Sequence, residues 1–123
     1  MREFHSPFSG FSVADTARAK AFYVDFVGLT VNESDGMLQI DLGDDHHFPV
    51  YSKGDAHEPA SFTVLNLPVD DVTAAVRELR GRGVDFARYD GMPQDEDGVM
   101  KGQGPDIAWF TDPAGNVTSV IAA

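Results

Sequence analysis

The pattern that begins at Phe11 begins again 56 residues later, and this repetition limits the possible folds more than any single motif does. Phe11-Ser12-Val13 aligns with Leu67-Pro68-Val69, and Asp15 with Asp71. Each triplet closes an alternating run that reads as a strand. Each aspartate then stands where a helix N-cap belongs, its carboxylate placed to accept from the N–H groups of the first turn. Beyond it, apolar residues recur at i, i+3, i+4 and i+7: Ala19, Phe22, Tyr23 and Phe26 in the first copy, Val72, Ala75, Val76 and Leu79 in the second. Gly28 and Gly83 follow as left-handed stops, and Arg77, Arg80 and Arg82 place cations near the second helix's C-terminus.

Strands are expected after each helix. In the first half they run Leu29–Glu33, Met37–Leu42 and Phe48–Ser52, with a tight turn at Asp35-Gly36 and a longer polar connection from Gly43 to His47. In the second half they run Val84–Tyr89, Ile107–Thr111 and Val117–Ile121. The breaker-rich stretch from Ser52 to Ala60 separates the halves. Such a tandem is an internal duplication. The expected fold is α+β: two βαβββ modules, residues 1–56 and 57–123, forming one structural domain. Each module carries a helix on one face of its sheet, so the open faces are expected to meet as an eight-stranded, partly rolled cup with outer helices. Whether they meet within a chain or by exchange between chains is left open, since both bury the same faces. Pro68 restricts its strand to an edge or a bulge.

At 123 residues the chain suits a single domain that needs no staple or metal to fold. It has no cysteine, which removes disulfides, thiolate catalysis and Cys-zinc sites. Twenty acidic residues against 9 basic give a net charge of −11, which argues against nucleic acid and anionic membrane as partners. The stretch Met1 to Pro7 lacks a signal peptide's apolar core and no run reaches spanning length, so a cytoplasmic location is expected.

The order of motifs resembles the glyoxalase/bleomycin resistance protein/dioxygenase superfamily, also called the vicinal oxygen chelate fold. The likeness rests on Ala21-Phe22-Tyr23 with Gly28-Leu29 after it, on Val69-Asp70-Asp71, and on Asp112-Pro113-Ala114-Gly115-Asn116 between the last two strands. It implies a cup, commonly in a homodimer, with activities ranging from metal-dependent lyase, epimerase and dioxygenase chemistry to metal-free sequestration of drugs. In enzymatic members the resemblance puts one metal ligand on the first strand and one on the last strand of each module. Carried onto this chain, those positions are Phe8, Val64, Val50 and Ser119. Three have no donor atom and the fourth offers a poor one, so the family metal is not expected.

The resulting expectation is a metal-independent protein that binds or sequesters a small molecule, a drug or a metabolite. Its pocket is expected to draw on Phe8, Gly10, Val50, Val64, Asn66, Tyr89, Met92, Trp109 and Ser119. Trp109 offers a plane for stacking and Asn66 a polar group to orient a ligand. The segment Asp90–Pro105 reads as a long loop at the mouth, whose Asp95, Glu96 and Asp97 could attract a cation. The alternative is a glyoxalase-like lyase or dioxygenase with a displaced metal site near His46 and His47. His57 and Glu58 read as exposed linker residues, and no nucleophile motif is recognised around Ser12.

Overall fold

Caps and turns divide the chain much as their chemistry requires. In the computed structural model, which describes residues 4, 5 and 7–123, the elements are β1 (Phe11–Val13), α1 (Thr16–Ala21) running into a wider π-helical segment (Phe22–Val27), β2 (Thr30–Ser34), β3 (Met37–Gly43), β4 (His46–Ser52), β5 (Thr63–Val69), α2 (Val72–Gly81), β6 (Ile107–Thr111) and β7 (Val117–Ala122). Of the stretch Met1 to Pro7 read for a leader, residues 1–3 and 6 lie outside the described residues. No helix among the described residues is long and apolar enough to cross a membrane.

Asp15 caps α1 by accepting from the Ala17 and Arg18 N–H groups, and Asp71 caps α2 by accepting from Ala74. At the far end of the first helix Gly28 takes φ +88°, and both its N–H and that of Leu29 reach the Tyr23 carbonyl. That widened turn carries more residues than the 3.6 of an α-helix. It rotates the stripe: Ala19, Phe22 and Tyr23 are buried as expected, while Phe26 is left 40% exposed.

The strands form two sheets, ordered β1-β4-β3-β2 and β5-β7-β6, with β1 parallel to β4 and β5 parallel to β7. Pro68 lies on the edge strand β5, where its missing N–H breaks no interior ladder. The connection between β3 and β4 is shorter than expected. Asp44 and Asp45 both adopt positive φ, making a two-residue turn, and His46 and His47 begin β4.

The expected strand Val84–Tyr89 is reduced to one bridge, Phe86 to Phe110. Competition for the free edge of β6 explains it. Ala87 N–H donates to the Trp109 carbonyl at 2.8 Å, but further along the edge Met100 exchanges both backbone hydrogen bonds with Ile107, at 2.8 and 3.3 Å. The Gln94 amide then takes the Ala87 carbonyl and the Tyr89 N–H, the groups a longer strand would have paired.

One contiguous core joins the modules, from Phe11, Val13, Leu38, Ile40 and Val50 on the first sheet to Leu65, Ala108, Phe110 and Val120 on the second. Contact is made on the helix side: the Phe22 and Phe110 rings lie 6.0 Å apart, and Phe26 packs under Gly83. Consequently the open face of the first sheet stays uncovered within the chain. Met37 and Tyr51 on the first sheet are 39% and 42% exposed.

A buried clasp fastens the two halves. The Tyr23 hydroxyl, inaccessible to solvent, donates to Asp112 Oδ2 at 2.7 Å. Asp112 Oδ1 meanwhile accepts from the N–H groups of Ala114 and Asn116, which shapes the β6–β7 turn. Asn116 extends the clasp by donating to the Ser12 carbonyl on β1 and accepting from Ala60 N–H. Burial, the Asp112 charge and the hydrogen bond to it all push the Tyr23 phenol above the usual tyrosine range.

Candidate binding faces and the metal positions

Strand alternation places Trp109, Ser119 and Asn66 in one row across the open face of the second sheet, since Trp109 pairs with Ser119 and Ser119 with Asn66. The Ser119 hydroxyl is buried and donates to Asn66 Oδ1 at 2.6 Å. Trp109 meets the Tyr89 ring edge-to-face at 5.6 Å. With Phe62, Thr63, Met92 and Val117 these two aromatics line a hollow of about 240 Å³.

Two other hollows adjoin the sheets. On the open face of the first sheet, Phe8, Met37, Gln39, His47, Pro49 and Tyr51 border about 450 Å³. Between β1 and the inter-module linker, Gly10, Ser12, Tyr51, Glu58, Phe62 and Val64 border about 370 Å³.

The nine residues picked from sequence are therefore not one constellation. Tyr89, Met92 and Trp109 come together, Gly10 and Val64 share the linker hollow, and Phe8 stands on the first sheet's hollow at 78% exposure. Val50 is a correction. It pairs in parallel with Phe11, so both point to the helix side, and it is wholly buried in the core. The residues beside it that face the open side are Pro49 and Tyr51. Gly10 also has a packing role: a Cβ there would sit 2.7 Å from the Pro49 carbonyl oxygen.

The four positions to which the resemblance carries metal ligands fail a test of donor chemistry. Phe8, Val64 and Val50 offer no donor, and the Ser119 hydroxyl is taken by Asn66. His46 and His47 are successive residues on β4 and so diverge. Among the described residues, no group of three His, Asp or Glu side chains converges to hold an ion.

The segment Asp90–Pro105 is anchored. Val99 is fully buried, and Asp97 is gripped by Arg77 at 3.1 Å and Arg80 at 3.2 Å from α2. Their hydrogen bonds and charges, Arg77 foremost, hold the Asp97 carboxyl below the usual carboxylate range against the opposing pull of desolvation. Asp95 accepts from Asp97 and Val99 N–H and pairs with Lys101. Two of the three acidic groups are thus already engaged by cations of the chain. Sequence separation hid the pairing of Asp97 with Arg77 and Arg80, as it hid that of Tyr23 with Asp112, 89 residues apart.

His57 also departs from the exposed linker position expected of it. It is half-buried, with Nδ1 2.8 Å from Ser12 Oγ and Nε2 3.0 Å from the Ala114 carbonyl oxygen. Nothing in the linker's composition marked it.

The sequence profile of the Glyoxalase/Bleomycin resistance protein/Dioxygenase superfamily matches residues 9–120. No curated protein matches the chain in sequence. Among solved structures, TnmS3, an antibiotic binding protein from Streptomyces sp. CB03234, is 27% identical with a TM-score of 0.66, covering 98% of each chain. A glyoxalase/bleomycin resistance protein from the same organism is 28% identical with a TM-score of 0.62, covering 94% of this chain and 99% of its own. UcmS2, at 20% identity, has a TM-score of 0.71 and covers 98% of this chain and all of its own, a likeness of fold.

Proposed function

Because the chain belongs to the Glyoxalase/Bleomycin resistance protein/Dioxygenase superfamily, we propose that it is a metal-independent receptor that sequesters a small, flat drug-like or metabolite molecule. The observation that carries this reading is the donor chemistry at the family's ligand positions. Phe8 and Val64 have no donor atom, the Ser119 hydroxyl is already bonded to Asn66, and Val50 is buried in the core, so none of the four can polarise a substrate through a divalent ion. Meanwhile the open face of the second sheet keeps an aromatic wall in Trp109 and Tyr89 beside the polar Asn66, a pairing suited to stacking and orientation. Similarity to TnmS3, whose role is antibiotic binding, supports the same reading.

The receptor is completed as a homodimer. Each open face is half a binding site, and a second copy supplies the opposing wall, covering Phe8 and Phe62, which are 78% and 69% exposed in the single chain. Native mass spectrometry of the freshly purified protein tests both parts. The expected spectrum shows a dimer carrying an organic compound and no stoichiometric transition metal. A monomer, or a dimer carrying one divalent ion per site, would refute the corresponding part.

A further inference from the structure

We propose that Ser12 and His57 form a nucleophile and base pair, giving the protein an acyl-transfer activity toward small aryl esters at the linker hollow. This is separate from the receptor reading, which uses neither residue.

The protonation pattern follows from the partners. A carbonyl oxygen only accepts, so the Ala114 oxygen, 3.0 Å from His57 Nε2, requires the proton on Nε2 in the neutral imidazole. Nδ1 then carries a lone pair, and the Ser12 hydroxyl, 2.8 Å away, donates to it. A hydroxyl hydrogen-bonded to an unprotonated imidazole, whose other nitrogen is fixed by a third group, is the arrangement that activates serine. Ser12 borders the hollow of about 370 Å³, with Tyr51 to receive an aryl group. Glu58 on the same border and the net charge of −11 disfavour anionic esters.

An oxyanion donor is also at hand. The Val13 carbonyl receives Lys53 N–H from the β4 side, so by alternation the backbone groups of Ser12 point to the free edge. The Ser12 carbonyl does so, accepting from Asn116 Nδ2 at 2.8 Å. The Ser12 N–H points the same way, next to its own Oγ. It is therefore placed to donate to the oxygen of a tetrahedral intermediate.

The chemistry balances without a further reagent. Ser12 Oγ attacks the ester carbonyl carbon while its proton passes to His57 Nδ1. Collapse of the intermediate breaks the bond to the aryl oxygen, which leaves with the Nδ1 proton. Water, deprotonated by the same nitrogen, then attacks the acyl-serine, and Ser12 Oγ leaves taking that proton back from Nδ1, so ester and water become acid and phenol.

A clamp tying the linker to the β6–β7 turn would show the same distances, and the probe p-nitrophenyl acetate separates the two. The expected results are p-nitrophenolate release above buffer and one acetyl group on the Ser12 peptide by mass spectrometry after acid quench. Ser12→Ala is expected to abolish both while leaving the Nε2 bond and the thermal midpoint in place. His57→Gln is expected to slow acetylation about 100-fold. Should His57→Gln unfold the protein, Ser12→Cys serves instead and is expected to be acetylated on the new sulfur. Release that survives Ser12→Ala, acetyl groups found only on lysines or the amino terminus, or no release from folded wild-type protein would overturn the proposal. Loss of drug binding would leave it standing, and the converse also holds.

Discussion

Replacing Tyr23 with Phe removes a single oxygen from the clasp between the modules, and its cost can be worked from the contacts. The lost bond runs from a fully buried phenol to a carboxylate that is 5% exposed. A hydrogen bond to a charged group contributes about 1.5–3 kcal/mol. Asp112 Oδ2 keeps a longer bond from Asn116 Nδ2, at 3.3 Å, so the oxygen is not orphaned and the lower part of that range applies. The expected loss is about 2 kcal/mol, a fall of roughly 8 °C in the thermal midpoint for a domain of this length. Alkaline pH gives an independent readout. The folded-state pKa of Tyr23 is raised, foremost by burial, so its stabilisation is complete below the unfolded tyrosine value of about 10. Above that pH the unfolded chain releases the proton and the folded chain retains it, so wild-type stability falls by about 1.4 kcal/mol per pH unit from this group alone. Tyr23→Phe lacks that slope, so the two stabilities should converge as pH rises past about 10. Urea unfolding of both proteins between neutral pH and pH 11 measures it. A neutral-pH difference under about 0.5 kcal/mol, or parallel curves in alkali, would refute the clasp.

Other consequences can be checked as directly. Gly10→Ala places a methyl carbon 2.7 Å from the Pro49 carbonyl oxygen, and the forced shift of β1 is expected to cost about 1–3 kcal/mol in urea unfolding. Asp97→Asn weakens the grip of Arg77 and Arg80, and limited proteolysis is expected to begin within Asp90–Pro105 while wild-type protein resists. The same anchoring has a pH sign. Asp97's folded pKa is depressed, foremost by its hydrogen bond to Arg77, so the stabilisation is present above the ordinary carboxylate range and is lost as pH falls through the lowered value. Protection of the amides in that segment, taken relative to their intrinsic exchange rates, should therefore fall on acidification in wild-type protein and change less in Asp97→Asn.

The duplication, the caps at Asp15 and Asp71, the stop at Gly28 and the final hairpin were all legible in the sequence, because each depends on residues within one turn or one strand pair. The family resemblance was legible for a related reason. Its motifs, Tyr23 in Ala-Phe-Tyr and the Asp112 to Asn116 turn, are the parts of the clasp that joins the modules. What stayed hidden depends on pairing. A π-helical turn displaced Phe26, and Met100 and Gln94 took the edge of β6 that Val84–Tyr89 needed. The reading of Val50 failed on register: a residue's face follows from its partner Phe11, which spacing from a distant motif does not supply. The Ser12–His57 contact spans 45 residues and crosses from linker to strand, so no local pattern announced it.

Trp109 is the sole tryptophan and lines the aromatic hollow, so its fluorescence reports directly on whether that face binds a ligand without metal. Titration of bleomycin and a panel of planar aromatic antibiotics is to be run on protein stripped with EDTA, and again with added zinc, nickel, manganese or iron. Saturable quenching by at least one compound is expected, with the same affinity in every sample and a loss of about 10-fold or more in Trp109→Ala read by calorimetry. Binding that appears only after a divalent ion is restored, or no binding by any compound in the panel, would contradict it.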